Sequence, residues 1–141
     1  MRPMKDKCFV DSNIFIYALS IEDEIKRQAA IDLLQKRTKN YETFISIQII
    51  KEVSNICLRK LNYSVNQVNR IIDLLSKHTV LNVSIDTVKK GLELYDTYSL
   101  SFYDSLIISS ALESNCKVFF SEDMNHGESI AGLQIINPFQ K

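Results

Sequence analysis

Glycine and proline are scarce in this chain, three and two among 141 residues, and no low-complexity stretch, linker or disordered tail can be read from its composition. The glycine signature of a nicotinamide-binding domain is absent altogether. Cysteine is equally thin. Cys8, Cys57 and Cys116 are odd in number, widely spaced and set in apolar context, which supports neither a disulfide framework nor a thiolate zinc site. Neither sign of charge is in excess: 17 basic and 17 acidic residues give a formal net charge of +0. That balance argues against coating nucleic acid or a membrane through bulk charge, and leaves room for a local basic rim. No apolar run is long enough to span a bilayer. The basic start over residues 1–7 leads into Cys8 to Ile21 in the manner of a signal peptide, but Asp11, Ser12 and Asn13 break the run. What remains is 45% hydrophobic, enough for a core without disulfides, and the expectation is one domain over residues 1–141, without internal repeats, in a reducing cytoplasm.

Apolar periodicity lays out an alternation of elements. Lys7 to Val10 is expected to be a short buried strand, followed by a helical turn or two from Ile14 to Leu19. Asp23 can cap a helix to about Lys36 with Ile25, Ala29, Leu33 and Leu34 inside. Thr43 to Ile45 is a second strand, and Ser46 a cap for a helix from Ile47 to Lys60. Ser64 opens another helix, Thr79 to Val83 is a β-branched strand, and Ser84 to Tyr98 is helical. Ser101 starts a helix to about Asn115, with strands at Lys117 to Phe120 and Leu133 to Ile136. Such alternation implies a parallel sheet covered by helices on both faces, with ligands beyond the carboxyl ends of the strands.

Four acids stand out by position. Asp11 closes the first apolar strand, Glu52 and Asp104 interrupt apolar helix stripes, and Asp123 follows a later strand. Each has an ordinary structural explanation. Asp11 suits an N-cap or Asx turn, and Glu52 could turn its head outward beside Lys51 and Lys60. Ser101 to Asp104 has the form of a capping box, and Asp123 lies in a polar loop, Ser121 to Gly127. As a set they say more. Two acids at strand ends and two on core faces of helices can converge at the carboxyl edge of the sheet, where they cannot all stay ionised without a cation. Oxygen ligands select magnesium or manganese over zinc. His78 and His126 are solitary and expected in loops or at the surface. Phe102 and Tyr103 are expected to pack, and Lys36-Arg37, Arg59-Lys60 and Lys89-Lys90 to be solvated, with a phosphate path as their functional alternative.

At these residues the chain resembles PIN-domain proteins, and more narrowly the VapC-type toxins of bacterial toxin–antitoxin pairs. Phe9-Val10-Asp11-Ser12-Asn13 resembles the opening motif, Ser46 through Glu52 the second, Ser101-Phe102-Tyr103-Asp104-Ser105 the third and Ser121-Glu122-Asp123 the fourth. Asn137-Pro138-Phe139 resembles an ending common in one branch. The resemblance implies a three-layer α/β/α domain with a central, mainly parallel sheet, one or two magnesium or manganese ions, and endonucleolytic cleavage of RNA. It implies Asp11, Asp104 and Asp123 as principal metal ligands, directly or through water, with Glu52 ligating or orienting a water. Ser12, Asn13 and Ser121 are candidates to orient those acids. A cognate antitoxin and a homodimer are the implied protein partners, with no membrane.

Two other classes stay open on the residues alone. A catalytically silent PIN-like module would bind RNA or protein without cutting. A phosphotransfer domain would also place Asp and magnesium at the sheet edge, but a phosphatase of that kind wants Asp at position 13, which is Asn, and a receiver wants an acid near Val83-Ser84 and a Lys near Ser121.

Overall fold

A computed structural model describes residues 5–140; residues 1–4, part of the basic start, lie outside the described residues. The strands are β1 (Asp6–Val10), β2 (Tyr41–Ser46), β3 (Thr79–Leu81), β4 (Val118–Phe120), β5 (Ser129–Ile130) and β6 (Leu133–Ile136). The helices are α1 (Ser12–Leu19), α2 (Glu24–Gln35), α3 (Ile47–Arg59), α4 (Val65–Leu75), α5 (Ile85–Tyr98) and α6 (Phe102–Glu113). None of them is long and apolar enough to cross a membrane.

All six strands form one sheet in the order β3-β2-β1-β4-β6-β5, parallel except for β5 against β6. From β1 the chain moves outward to β2 and β3, then returns to β4 on the other side of β1. Right-handed crossovers in opposite directions put α1–α4 on one face and α5–α6 on the other. The packing agrees: α1 lies against α2 and α3, α3 against α4, and α5 against α6. This is the three-layer α/β/α arrangement expected from the alternation.

The central strands are buried on both faces, so they are continuously apolar rather than alternating. Cys8, Phe9 and Val10 are fully buried, as are Phe119 and Phe120. Phe9 and Phe119 face each other in register, their rings stacked 5.7 Å apart. Large cross-strand pairs resist slippage, because a shift of one residue would turn every side chain to the other face. The same register fixes where the strands end, and Asp11 N–H continues the ladder by donating to Phe120 O at 3.0 Å.

The structure differs from the sequence reading in several places. Ile25 is 82% exposed, and Ala30 and Leu33 form the buried row of α2. At 3.6 residues per turn Ile25 stands about 140° round the helix from Ala30. His78 lies in the loop between α4 and β3, as expected, and is half-buried against Phe15. The third strand stops at Leu81, short of Val83. Ser46 occupies the cap position of α3 but makes no cap hydrogen bond. Two elements were not anticipated. A 3-10 turn, Arg37–Asn40, links α2 to β2, and β5 reverses into β6 through Ala131 and Gly132, both at positive φ. Two positive-φ residues make the turn whose twist matches an antiparallel hairpin.

Candidate metal centre

Asp11 leaves β1 and caps α1 in one step. Its Oδ1 accepts from Ser12 N–H at 2.8 Å, and its Oδ2 accepts from the Ser121 hydroxyl at 2.7 Å and the Asn13 amide at 3.4 Å. The side chain is 2% exposed. Burial raises its pKa to about 7 against the opposing hydrogen bonds from Ser121 and Ser12, and repulsion from Asp123 and Glu52 adds to the rise. Burial also raises the pKa of half-buried Asp104, against the hydrogen bond with Ser101, and repulsion from Asp123 and Glu52 adds to the rise. Asp11 and Asp104 thus each feel the charges of Asp123 and Glu52.

Asn13 ties two of them together. Its Nδ2 donates to Asp11, to Ser121 Oγ at 3.4 Å and to Asp123 Oδ2 at 3.1 Å, while its Oδ1 accepts from Glu122 N–H at 3.3 Å. Only this amide orientation faces its donors to acceptors and its acceptor to a donor. Ser121 Oγ also accepts from Asp123 N–H at 3.1 Å. On α3, Glu52 takes the Ser12 hydroxyl at 2.7 Å and the Gln48 amide at 3.0 Å. Asp104 N–H donates to Ser101 Oγ at 3.1 Å, but the box that would return the Asp104 carboxylate to the cap is not formed among the described residues. Its carboxylate is thus left to the cleft.

Among the described residues, the ion pairs are Lys26–Glu122, Arg27–Glu24 and Lys36–Asp32, and none includes any of the four acids. No group of three or more His, Cys, Asp or Glu side chains there is arranged to hold a metal ion by itself. The donor set is nonetheless all oxygen and short of positive charge, and its outer acids line open clefts. That combination suits a hard, hydrated divalent cation held partly through water, not a dry cage. Ser46 supports this: it is fully buried, its hydroxyl has no partner, and the β1–β2 register extended by two residues sets it level with Asp11.

Asp123 lies between two clefts. One, of about 340 Å³, is lined by Asn13, Tyr17, Lys60 and Glu122; the other, of about 260 Å³, by Tyr98, Ser101, Asp104 and Asn125. A cleft of about 390 Å³ between α5 and α6 contains none of the four acids.

The model of the PIN domain matches residues 8–128. This chain belongs to the PIN domain family. No curated protein sequence matches it. Among solved structures, a toxin–antitoxin complex from Klebsiella pneumoniae superposes on this PIN domain with a TM-score of 0.68 at 20% identity, covering 94% of this chain and 98% of that one. The toxin VapC20 of Mycobacterium tuberculosis, described as cleaving the sarcin-ricin loop, gives 0.68 at 16%, covering 83% and 92%. VapBC2 of Rickettsia felis, bound to a DNA fragment from its promoter, gives 0.63 at 18%, covering 91% and 96%. At these identities the likeness is one of fold.

In this PIN domain Ser12 donates to Glu52, Asn13 to Asp11 and Asp123, and Ser121 to Asp11. Gln48 went unnoticed in the sequence, although it stands one helical turn before Glu52 on the same face. It also donates to Tyr103 O at 3.4 Å, joining α3 to the start of α6. Tyr103 itself is exposed.

Proposed function

We propose that this PIN domain is a VapC-type toxin, an endoribonuclease that uses magnesium or manganese. The observation that supports the reading is that Asn13 bridges Asp11 and Asp123, that both Asp11 and Asp104 feel the charges of Asp123 and Glu52, and that none of the four acids has an ion-pair partner among the described residues. Asp11, Asp104 and Asp123 would hold one or two ions, directly or through water, and Glu52 would ligate or orient a water. When bound, a divalent ion supplies the positive charge that shields the phosphate and makes water acidic enough to attack. The chain's own polar groups do the aiming. Ser121 and Asn13 hold Asp11 and Asp123 in fixed rotamers, and Ser12 and Gln48 hold Glu52. The open clefts on either side of Asp123 leave room for the chain to continue on both sides of a scissile phosphate, as an internal cut requires.

Protein partners belong to the same reading. An apolar cleft of about 200 Å³ between α1, α2 and α4, lined by Phe15, Leu19, Leu34, Ile71 and Leu74, offers a seat for an antitoxin segment. A homodimer is the expected assembly. The three cysteines are free and buried, which suits a reducing cytoplasm.

The test is incubation of antitoxin-free protein with total bacterial RNA and magnesium or manganese, beside a chelator control and the variants Asp11→Asn and Asp104→Asn. Metal-dependent cleavage lost in both variants is the expected result. Folded, metal-loaded protein that leaves both bulk RNA and purified ribosomal and transfer RNA intact would support a silent RNA- or protein-binding module instead.

A further inference from the structure

Lys26, on α2, reaches the residue beside Asp123. Its ammonium donates to Glu122 Oε2 at 2.9 Å and to Tyr17 Oη at 3.2 Å, and Tyr17 O–H in turn donates to Glu122 Oε1 at 2.9 Å. Both oxygens of Glu122 are thereby taken. The ammonium also lies over two rings, Tyr17 at 4.8 Å and Phe139 at 5.6 Å, which meet edge to face at 5.0 Å. Four separate parts of the chain close on this point: α1, α2, the loop after β4 and the tail after β6.

The loop they grip runs from Ser121 to Glu128. Ser121 still belongs to the ladder through Ser121 N–H to Ile136 O at 3.0 Å, whereas Asp123 is exposed. From the sheet side, Asn13 and Ser121 hold Asp123; from the outer side, Lys26 and Tyr17 hold Glu122. A fifth acid next to the cluster also poses a choice. Left free, Glu122 could swing toward the cation in place of Asp123, since the two share a cleft wall.

We infer that Lys26 is a positioning residue for the metal centre: by engaging Glu122 with Tyr17 and Phe139 it fixes the loop so that Asp123, not Glu122, faces the other acids. This rests on the nuclease reading above. Arginine at position 26 retains the charge and can still reach the carboxylate, whereas methionine retains only the apolar stem over the rings.

The experiment is manganese binding by titration calorimetry and by the electron paramagnetic resonance of the bound ion. It compares wild type, Lys26→Met, Lys26→Gln, Lys26→Arg and, as a control ion-pair loss on the same helix, Arg27→Gln. Lys26→Met is expected to weaken manganese binding by about tenfold and change the resonance of the bound ion, Lys26→Arg to restore both, and Arg27→Gln to change neither. RNA cleavage by Lys26→Met should need more manganese while approaching the wild-type rate at saturation. Wild-type affinity and spectrum in Lys26→Met overturn the inference while leaving the nuclease reading intact. Should Lys26→Met fail to fold, Lys26→Gln, which likewise removes the ammonium and frees the Glu122 carboxylate, carries the same comparison. A wild-type chain that binds no manganese overturns both.

Discussion

The Ser121 hydroxyl donates to Asp11 Oδ2 at 2.7 Å, joining the ends of β4 and β1 beneath the acid cluster. The same oxygen accepts from Asp123 N–H, so one small side chain sets the spacing of two acids. Ser121→Ala is expected to lose about 1–3 kcal/mol of stability, because the buried Asp11 carboxyl is left without one of its hydrogen-bond partners. Cleavage should fall together with stability, and urea denaturation alongside RNA assays checks both. An alanine variant as stable and active as wild type would remove Ser121 from the site.

Asp11 makes the metal-free protein sensitive to pH in an unusual direction. Its carboxyl has an ordinary value of 3.8 and sits at about 7 in the fold. Between those values the folded chain keeps a proton that the unfolded chain has released, so this group lowers stability as pH rises from about 4 to 7, and no further above that. Its share is on the order of 4 kcal/mol. Denaturation in chelator across this window should show the decline, and Asp11→Asn should flatten it. A wild-type profile whose slope in this window matches that of Asp11→Asn would contradict the buried, proton-binding carboxyl.

Ser12 is expected to act through Glu52. Ser12→Ala removes the 2.7 Å hydrogen bond to Oε2 and leaves Gln48 as the acid's remaining partner. A drop of about tenfold in cleavage is expected, with recovery in Ser12→Thr, which keeps the hydroxyl. Rates measured at saturating manganese decide it, and an alanine variant at full rate would count against a role for this bond.

The sequence made the alternation of strands and helices legible because the central strands are apolar along their whole length and the helices carry caps. Asp11 was recognisable for the same reason, as an acid ending a buried strand. The site's remaining parts depend on distances in space that no local pattern encodes. Lys26 and Glu122 are 96 positions apart, and each has the ordinary look of a surface charge. Gln48 was detectable only through its spacing from Glu52. β5 has two residues, too few for alternation to register, and the Ala131-Gly132 turn lacks the Asn-Gly or Asp-Gly pair that marks such hairpins. Ile25 misled because an apolar residue in the first turn of a helix satisfies a loose periodicity whether or not the core reaches it.

Gly91 lets α5 approach α6, the helix that carries Asp104. A Cβ there would stand 2.9 Å from the end of the Leu106 side chain and 3.5 Å from Ser105 O. The leucine tip can yield, and alanine gains about 1 kcal/mol of helix propensity, so Gly91→Ala is expected to be near neutral. Gly91→Val, with branches that meet backbone, should cost about 1–3 kcal/mol. Thermal melts of the two variants test the pair, and a valine variant as stable as wild type would show that the helices are free to part.

The two rims of the sheet are both cut short, β3 at three residues and β5 at two, the latter running against the rest. A protein that joined this one by adding a strand would gain only two or three rungs of backbone hydrogen bonding, too little to hold on its own. Any partner of the kind proposed above would therefore have to meet side chains on the helical faces, where shape and sequence discriminate far better than a bare polypeptide edge.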